Sequence, residues 1–201
     1  MAAKITYQIT ENNFELIRDK IATILKEELS NQANIQSDPD LDPDIYVERF
    51  TPVDKEEEKV LVVTVDRWNG DNETTITQKL GTIFNIDIYT FSEGDENNEG
   101  YYYSSKKMER LAGLIRHILE HPEYIHLDFS SKFIYRTSVF TFLADDGGRN
   151  EDGLSSRMGL IQFRVEHEEQ QTPKAPIALA GSDTVFTIEE TEKGYKIITN
   201  T

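Results

Sequence analysis

The chain contains no cysteine. That excludes a disulfide framework, thiol catalysis and thiolate metal sites. No apolar run approaches the ~18 residues of a membrane span. The first residues, MAAKITYQIT, lack the apolar core of a signal peptide. The expectation is a protein made and kept in a cytosol. Basic residues are few: 21 Lys and Arg stand against 37 Asp and Glu, a formal net charge of −16. No sizeable Lys and Arg cluster is present to grip a phosphate backbone, so specific nucleic-acid binding is not expected. An acidic wall can still let DNA pass without sticking, because like charges form no lasting contacts. Plain solubility is the simpler use of that charge.

Catalytic motifs are missing as well. Without a G-x-S-x-G elbow no Ser-His-Asp order can be argued, and no acid–base pair can be chosen from 37 carboxylates. His117 and His121 lie four residues apart and His126 follows. Such spacing can put two ligands on one helix face, but HILEH lacks the Glu that a zinc protease carries directly after its first His. In DPDLDPD, Asp38, Asp40, Asp42 and Asp44 alternate as a calcium loop does at its start. The Gly at the sixth position and the Glu at the twelfth are missing, so a solvated acidic loop is expected. No catalytic residue, cofactor-binding residue, cofactor or metal ligand is assigned, and the protein is not expected to be an enzyme.

What is present is a run of amphipathic elements. Residues 12–29, NNFELIRDKIATILKEEL, carry Phe14, Ile17, Ile21, Ile24, Leu25 and Leu29 at helical spacing. Asn12 is the candidate N-cap, with Glu15 three residues on. Residues 31–44 read as a loop. Strands are expected over 45–50, 60–68 and 82–91. In the last of these Phe84, Ile86 and Ile88 share one face, and Asn85, Asp87 and Tyr89 the other. Residues 92–100 read as a polar loop. A second helix over 104–120, capped by Ser104 or Ser105 and stopped by Pro122, presents Met108, Leu111, Leu114, Ile115, Ile118 and Leu119. Tyr101 to Tyr103 before it suit an interface patch or a strand end packed on the core equally well. Further strands are expected over 125–129, 133–144 and 158–168.

The segment ADDGGRNEDG, 144–153, sets three glycines among Asp145, Asp146, Glu151 and Asp152. A phosphate cradle would open a helix and usually carry a Lys. This segment reads instead as a hairpin tip, able to reach a neighbour or line a pore. Past residue 169 the composition shifts. A linker over 170–182 leads to a β-hairpin over 184–199, turned at 192–194. The domain division is therefore 1–169 for the body and 170–201 for a linker and C-terminal arm. The fold class is α+β: a mainly antiparallel sheet with two helices packed on one face, plus a C-terminal β-hairpin extension.

The order of elements in FELIRDKIATILKEEL, IFNIDIYTF, MERLAGLIRHILEH and FIYRTSVFTFLADDGGRNEDGLSSRMGLIQFRVEHE, all within residues 12–168, resembles the tail terminator (tail completion, neck) proteins of long-tailed bacteriophages. The resemblance implies a structural virion protein. It would form a homo-oligomeric ring, typically a hexamer, at the head-proximal end of the tail. Such a ring ends tube polymerisation and joins tail to head connector. Its partners would be itself, the tail tube protein, head connector or neck proteins and the tail sheath, with assembly in the host cytoplasm and no membrane. The tip would put Asp145, Asp146, Arg149, Glu151 and Asp152 at a subunit contact or in the lumen. Two other readings stay open. One is another neck or baseplate adaptor of the same fold, which the arm at 170–201 allows. The other is a metal-dependent enzyme in which His117, His121 and His126 or the acidic loop bind the metal.

Overall fold

A computed structural model describes residues 11–49, 51–54, 57–71, 77–93, 100–149, 154–170, 186–191 and 194–199. The protein is α+β, with a mixed sheet and two helices. The chain order is α1 (Asn13–Gln36), β1 (Asp44–Val47), β2 (Lys59–Asp71), β3 (Thr77–Glu93), α2 (Gly100–Leu119), β4 (Ile134–Arg149), β5 (Leu154–Gln170), β6 (Phe186–Thr191) and β7 (Gly194–Thr199). The sheet order is β4-β5-β3-β2-β1-β7-β6. Among the described residues only β1 and β2 pair in parallel; every other neighbour is antiparallel. Among the described residues no helix is long and apolar enough to cross a membrane.

Helix α1 starts where the sequence suggests. The Glu15 carboxylate accepts from the Asn12 backbone N–H at 2.6 Å and from Asn12 Nδ2 at 3.1 Å. These bonds satisfy donors that a helix start leaves free. The apolar stripe ends at Leu29, yet the helix runs on to Gln36 through residues that tolerate it. It closes at Ser37, which sits at φ 52°, with Asp38 N–H bonded to Ala33 O and Ser37 N–H to Asn34 O. The expected loop at 31–44 is therefore half helix.

Three further expectations are corrected. Helix α2 begins at Gly100, so Ser104 and Ser105 lie inside it and cap nothing. Ser104 is buried, and its carbonyl accepts from Thr90 Oγ1 at 2.8 Å, which ties the helix start to β3. The strand expected at 125–129 is a succession of turns. Leu127 and Asp128 both have left-handed backbones, φ 49° and 58°, and no strand continues through that geometry. The hairpin tip expected over 144–153 is strand as far as Arg149, β5 begins at Leu154, and residues 150–153 lie outside the described residues.

One face of the sheet holds the core. Phe84, Ile86 and Ile88 of β3, Leu61 and Val63 of β2, and Ile161, Phe163 and Val165 of β5 pack against both helices. Ile17, Ile21, Ile24 and Leu25 come from α1, and Met108, Leu111 and Ile115 from α2. Each buried aliphatic side chain contributes roughly 1.5–3 kcal/mol by leaving water. At Gly159 of β5 the helix comes so close that an added Cβ would lie 2.8 Å from Met108 Sδ and 3.3 Å from Phe142. The C-terminal hairpin, β6 and β7, joins the sheet through β7, which pairs Lys196 with Tyr46 and Tyr195 with Val47. The linker expected over 170–182 lies, from residue 171 onward, outside the described residues, as do residues 192 and 193 of the hairpin turn expected at 192–194.

Candidate functional site

Among the described residues, the face of the sheet turned away from the helices has no second layer of helices. Strand pairing lines up Tyr46, Val62, Asp87, Leu160 and Leu143 in one row across β1, β2, β3, β5 and β4. The next row holds Val60, Tyr89, Met158 and Asp145. Leu143 is 56% exposed and Met158 37%. On the other side of the central row, Gln162 Nε2 donates to Asn85 Oδ1 at 3.2 Å.

The segment after β1 folds over part of this face and makes a hollow of about 380 Å³. Val62, Thr64, Asp87, Tyr89, Phe91, Ser156, Arg157 and Met158 line it from the sheet. Arg49 anchors the segment. Its guanidinium bonds the Glu57 carboxylate at 2.7 and 3.1 Å and the carbonyls of Thr51 and Pro52 at 3.0 and 2.8 Å. It also stacks 4.7 Å over the Tyr46 ring. Arg49 is buried and its charge is matched.

Asp87 is different. Burial among Val62, Leu160 and Tyr89 pushes its carboxyl up to about 6, and no charge or hydrogen bond offsets that. Tyr89 beside it is also raised, by burial first and by Asp87 second. Asp87 is thus a desolvated acid facing an open hollow. One proton-active group beside an already neutralised arginine is not a catalytic pair.

The residues singled out from sequence sit elsewhere. Asp145 is exposed near the end of the β4–β5 ribbon, opposite Met158. Asp146 and Arg149 belong to strand β4, opposite Arg157 and Ser155, with a register shift between them. Glu151 and Asp152 lie outside the described residues. The ribbon extends the sheet edge, where bulges at three points of β4 interrupt the ladder.

The three histidines do not converge. His117 and His121 have ring centroids 6.1 Å apart, His121 Nδ1 accepts from Glu123 N–H at 3.4 Å, and His126 Nδ1 lies 3.1 Å from Ile134 O. Among the described residues no group of three or more His, Asp or Glu is placed to hold a metal. The acidic loop DPDLDPD is a staple rather than a solvated loop. Asp38 accepts from Asp40 N–H at 3.1 Å. Asp40 pairs with Lys107 at 3.1 Å, and Asp42 with Lys26 at 2.6 Å and Ser30 at 2.7 Å. Burial pushes the Asp42 carboxyl up, but the Lys26 and Ser30 bonds outweigh it and hold it below its usual value. The fourth histidine, His167, is fully buried, with Nε2 2.8 Å from Thr82 Oγ1. Burial pulls it down to about 4.

Sequence reasoning missed the Asp87 hollow and the exposed side of α2. The signal for the first was one charge on the second face of an apolar strand. The signal for the second was three basic residues on the polar side of a helix in an acidic chain. Comparison with known proteins gave no matching family model and no matching curated relative.

Proposed function

We propose that this protein is a structural virion subunit of the tail-terminator kind. Copies of it close into a ring, a hexamer in the family it resembles, at the head-proximal end of a phage tail. The ring ends polymerisation of the tail tube protein and presents a surface to head connector or neck proteins, with the sheath as a further neighbour. It has no enzymatic role, and DNA passes through the ring without specific binding. Its place is the virion, reached by assembly in the host cytoplasm.

One observation carries the reading. Among the described residues a sheet of five body strands is covered by helices on a single side, and the other side presents Leu160, Leu143 and Met158 beside a desolvated carboxylate. Such a surface suits a subunit better than a solitary molecule. Element order adds support: helix, strands, helix and a long two-stranded ribbon follow the pattern that the resemblance rests on.

The test is mass by light scattering, with negative-stain images of the same fraction, alone and with tail tubes present. A closed ring, or a cap on tube ends, is the expected result. A protein that stays monomeric and leaves tubes uncapped overturns the proposal. An adaptor elsewhere in the neck or baseplate would form a ring without capping tubes.

A further inference from the structure

Helix α2 stands out against the charge of the whole. In a chain of net charge −16 its exposed side carries Lys106, Arg110 and Arg116, with Glu109 among them, Arg116 paired with Glu120 at 3.0 Å and Arg110 donating to Gln36. Tyr102, 62% exposed, extends the same side by one turn. Gly113 lies at its centre, and an added Cβ there would meet nothing within 4 Å. Tyrosine and arginine around a flat spot are the composition of an interface core.

The free sheet face complements it. Beside the segment that follows β1 it is apolar at Leu160, Leu143 and Met158 and negative at Asp87 and Asp145, with Arg164 further along. Dimensions agree as well. A helix of 20 residues is about 30 Å long, and the strands β3, β5 and β4 beyond that segment span about 10 Å, so one helix crosses the open part of the face. From these observations we infer that the outward side of α2 of one copy docks on the free sheet face of a second copy, placing a Lys106 or Arg110 side chain in the Asp87 hollow. The inference rests on the self-assembly reading above and names the surfaces it uses.

The geometry has a consequence. Helix α2 and the docking face lie on opposite layers of one subunit, so two copies cannot satisfy both contacts mutually. The contact is head to tail, and it propagates until rotation closes it or a filament forms. A desolvated Asp87 meeting a basic side chain exchanges an unfavourable lone charge for a pair. The same pairing offsets the repulsion expected between two acidic molecules.

Absence of native cysteine makes the test clean. Gly113→Cys and Leu143→Cys are made as separate proteins, mixed in equal amounts and treated with a short bifunctional maleimide. The mixture should give a heterodimer well above what either protein gives alone. Asp87→Asn, built into the Leu143→Cys protein, should cut the yield at least about tenfold, and so should Lys106→Glu with Arg110→Glu in the other. Asparagine keeps the shape of aspartate, so lost cross-linking is not lost folding; circular dichroism confirms that for each variant.

Equal cross-linking by either single protein alone means like faces meet, and overturns the inference. So does a heterodimer indifferent to both charge changes. Light scattering of the unmodified protein separates the two readings. A ring that forms while the mixture fails to cross-link removes this docking mode and leaves the ring. Efficient head-to-tail cross-linking with open filaments removes the closed ring and leaves the docking mode. Neither assembly nor cross-linking overturns both.

Discussion

Replacing Asp87 by asparagine should stabilise the isolated subunit at neutral pH. The carboxyl is displaced from 3.8 to about 6 by burial alone. At about 1.36 kcal/mol per pH unit that corresponds to a ceiling of roughly 3 kcal/mol. The hollow is open to water, and screening reduces the expected gain to about 1–2 kcal/mol. The sign follows from linkage. Below about pH 4 the carboxyl is protonated whether folded or not, and wild type and variant differ little. As the pH rises through 6, the unfolded chain ionises easily and the folded one reluctantly, so wild type loses stability that the variant keeps. Urea unfolding at concentrations where the protein is monomeric measures this. With a slope near 2 kcal/mol/M, the Asp87→Asn midpoint at pH 7.5 should lie about 0.5–1 M higher. The gain should shrink toward zero by pH 4. A variant no more stable than wild type at pH 7.5, or a gain that is the same at every pH, refutes the reasoning. A variant that is more stable alone yet assembles worse is what a binding surface produces, because strain there is relieved by the partner.

Three other outcomes are expected. His167, pulled down to about 4, stays neutral when folded, so its contribution to stability is complete above pH 6.5 and fades as the pH falls toward 4; its imidazole NMR signals should not titrate above pH 5, and a midpoint near 6.5 would refute its burial. Glu57→Gln leaves the buried Arg49 guanidinium without its counter-charge and should cost about 3 kcal/mol in urea unfolding; a loss under 1 kcal/mol would mean the segment over the hollow is not held by that pair. Gly159→Val crowds Met108 and Phe142 and should destabilise by about 1–3 kcal/mol, whereas no change would mean α2 does not sit so close to β5.

The two amphipathic helices and the alternating strands were legible because burial writes a period into sequence. Ile17, Ile21 and Leu25 on α1, and Phe84, Ile86 and Ile88 on β3, all reach the core that their spacing anticipates. Element ends were read less well. Gln36 ends a helix seven residues beyond its last stripe residue, and Tyr101 to Tyr103 open a helix rather than precede it. Polar residues of adequate helix propensity leave no apolar mark, so only the closing bonds fix such ends. The glycine-rich stretch after Ala144 reads as a loop, because glycine and aspartate favour turns. The ladder with β5 carries the chain on as strand to Arg149.

Sequence by itself determined the class of the protein, the two faces of each strand and the absence of thiol chemistry, because these depend on composition and on neighbours along the chain. It also placed Asp87 opposite the core. Tertiary structure alone decided that Val62 and Leu160 flank that carboxylate, that Arg49 is already spent on Glu57, and that no helix among the described residues covers the row. A charge feels whatever surrounds it in space, within a few ångströms, and strands 73 residues apart in the chain, as Asp87 and Leu160 are, become adjacent only when the sheet is formed.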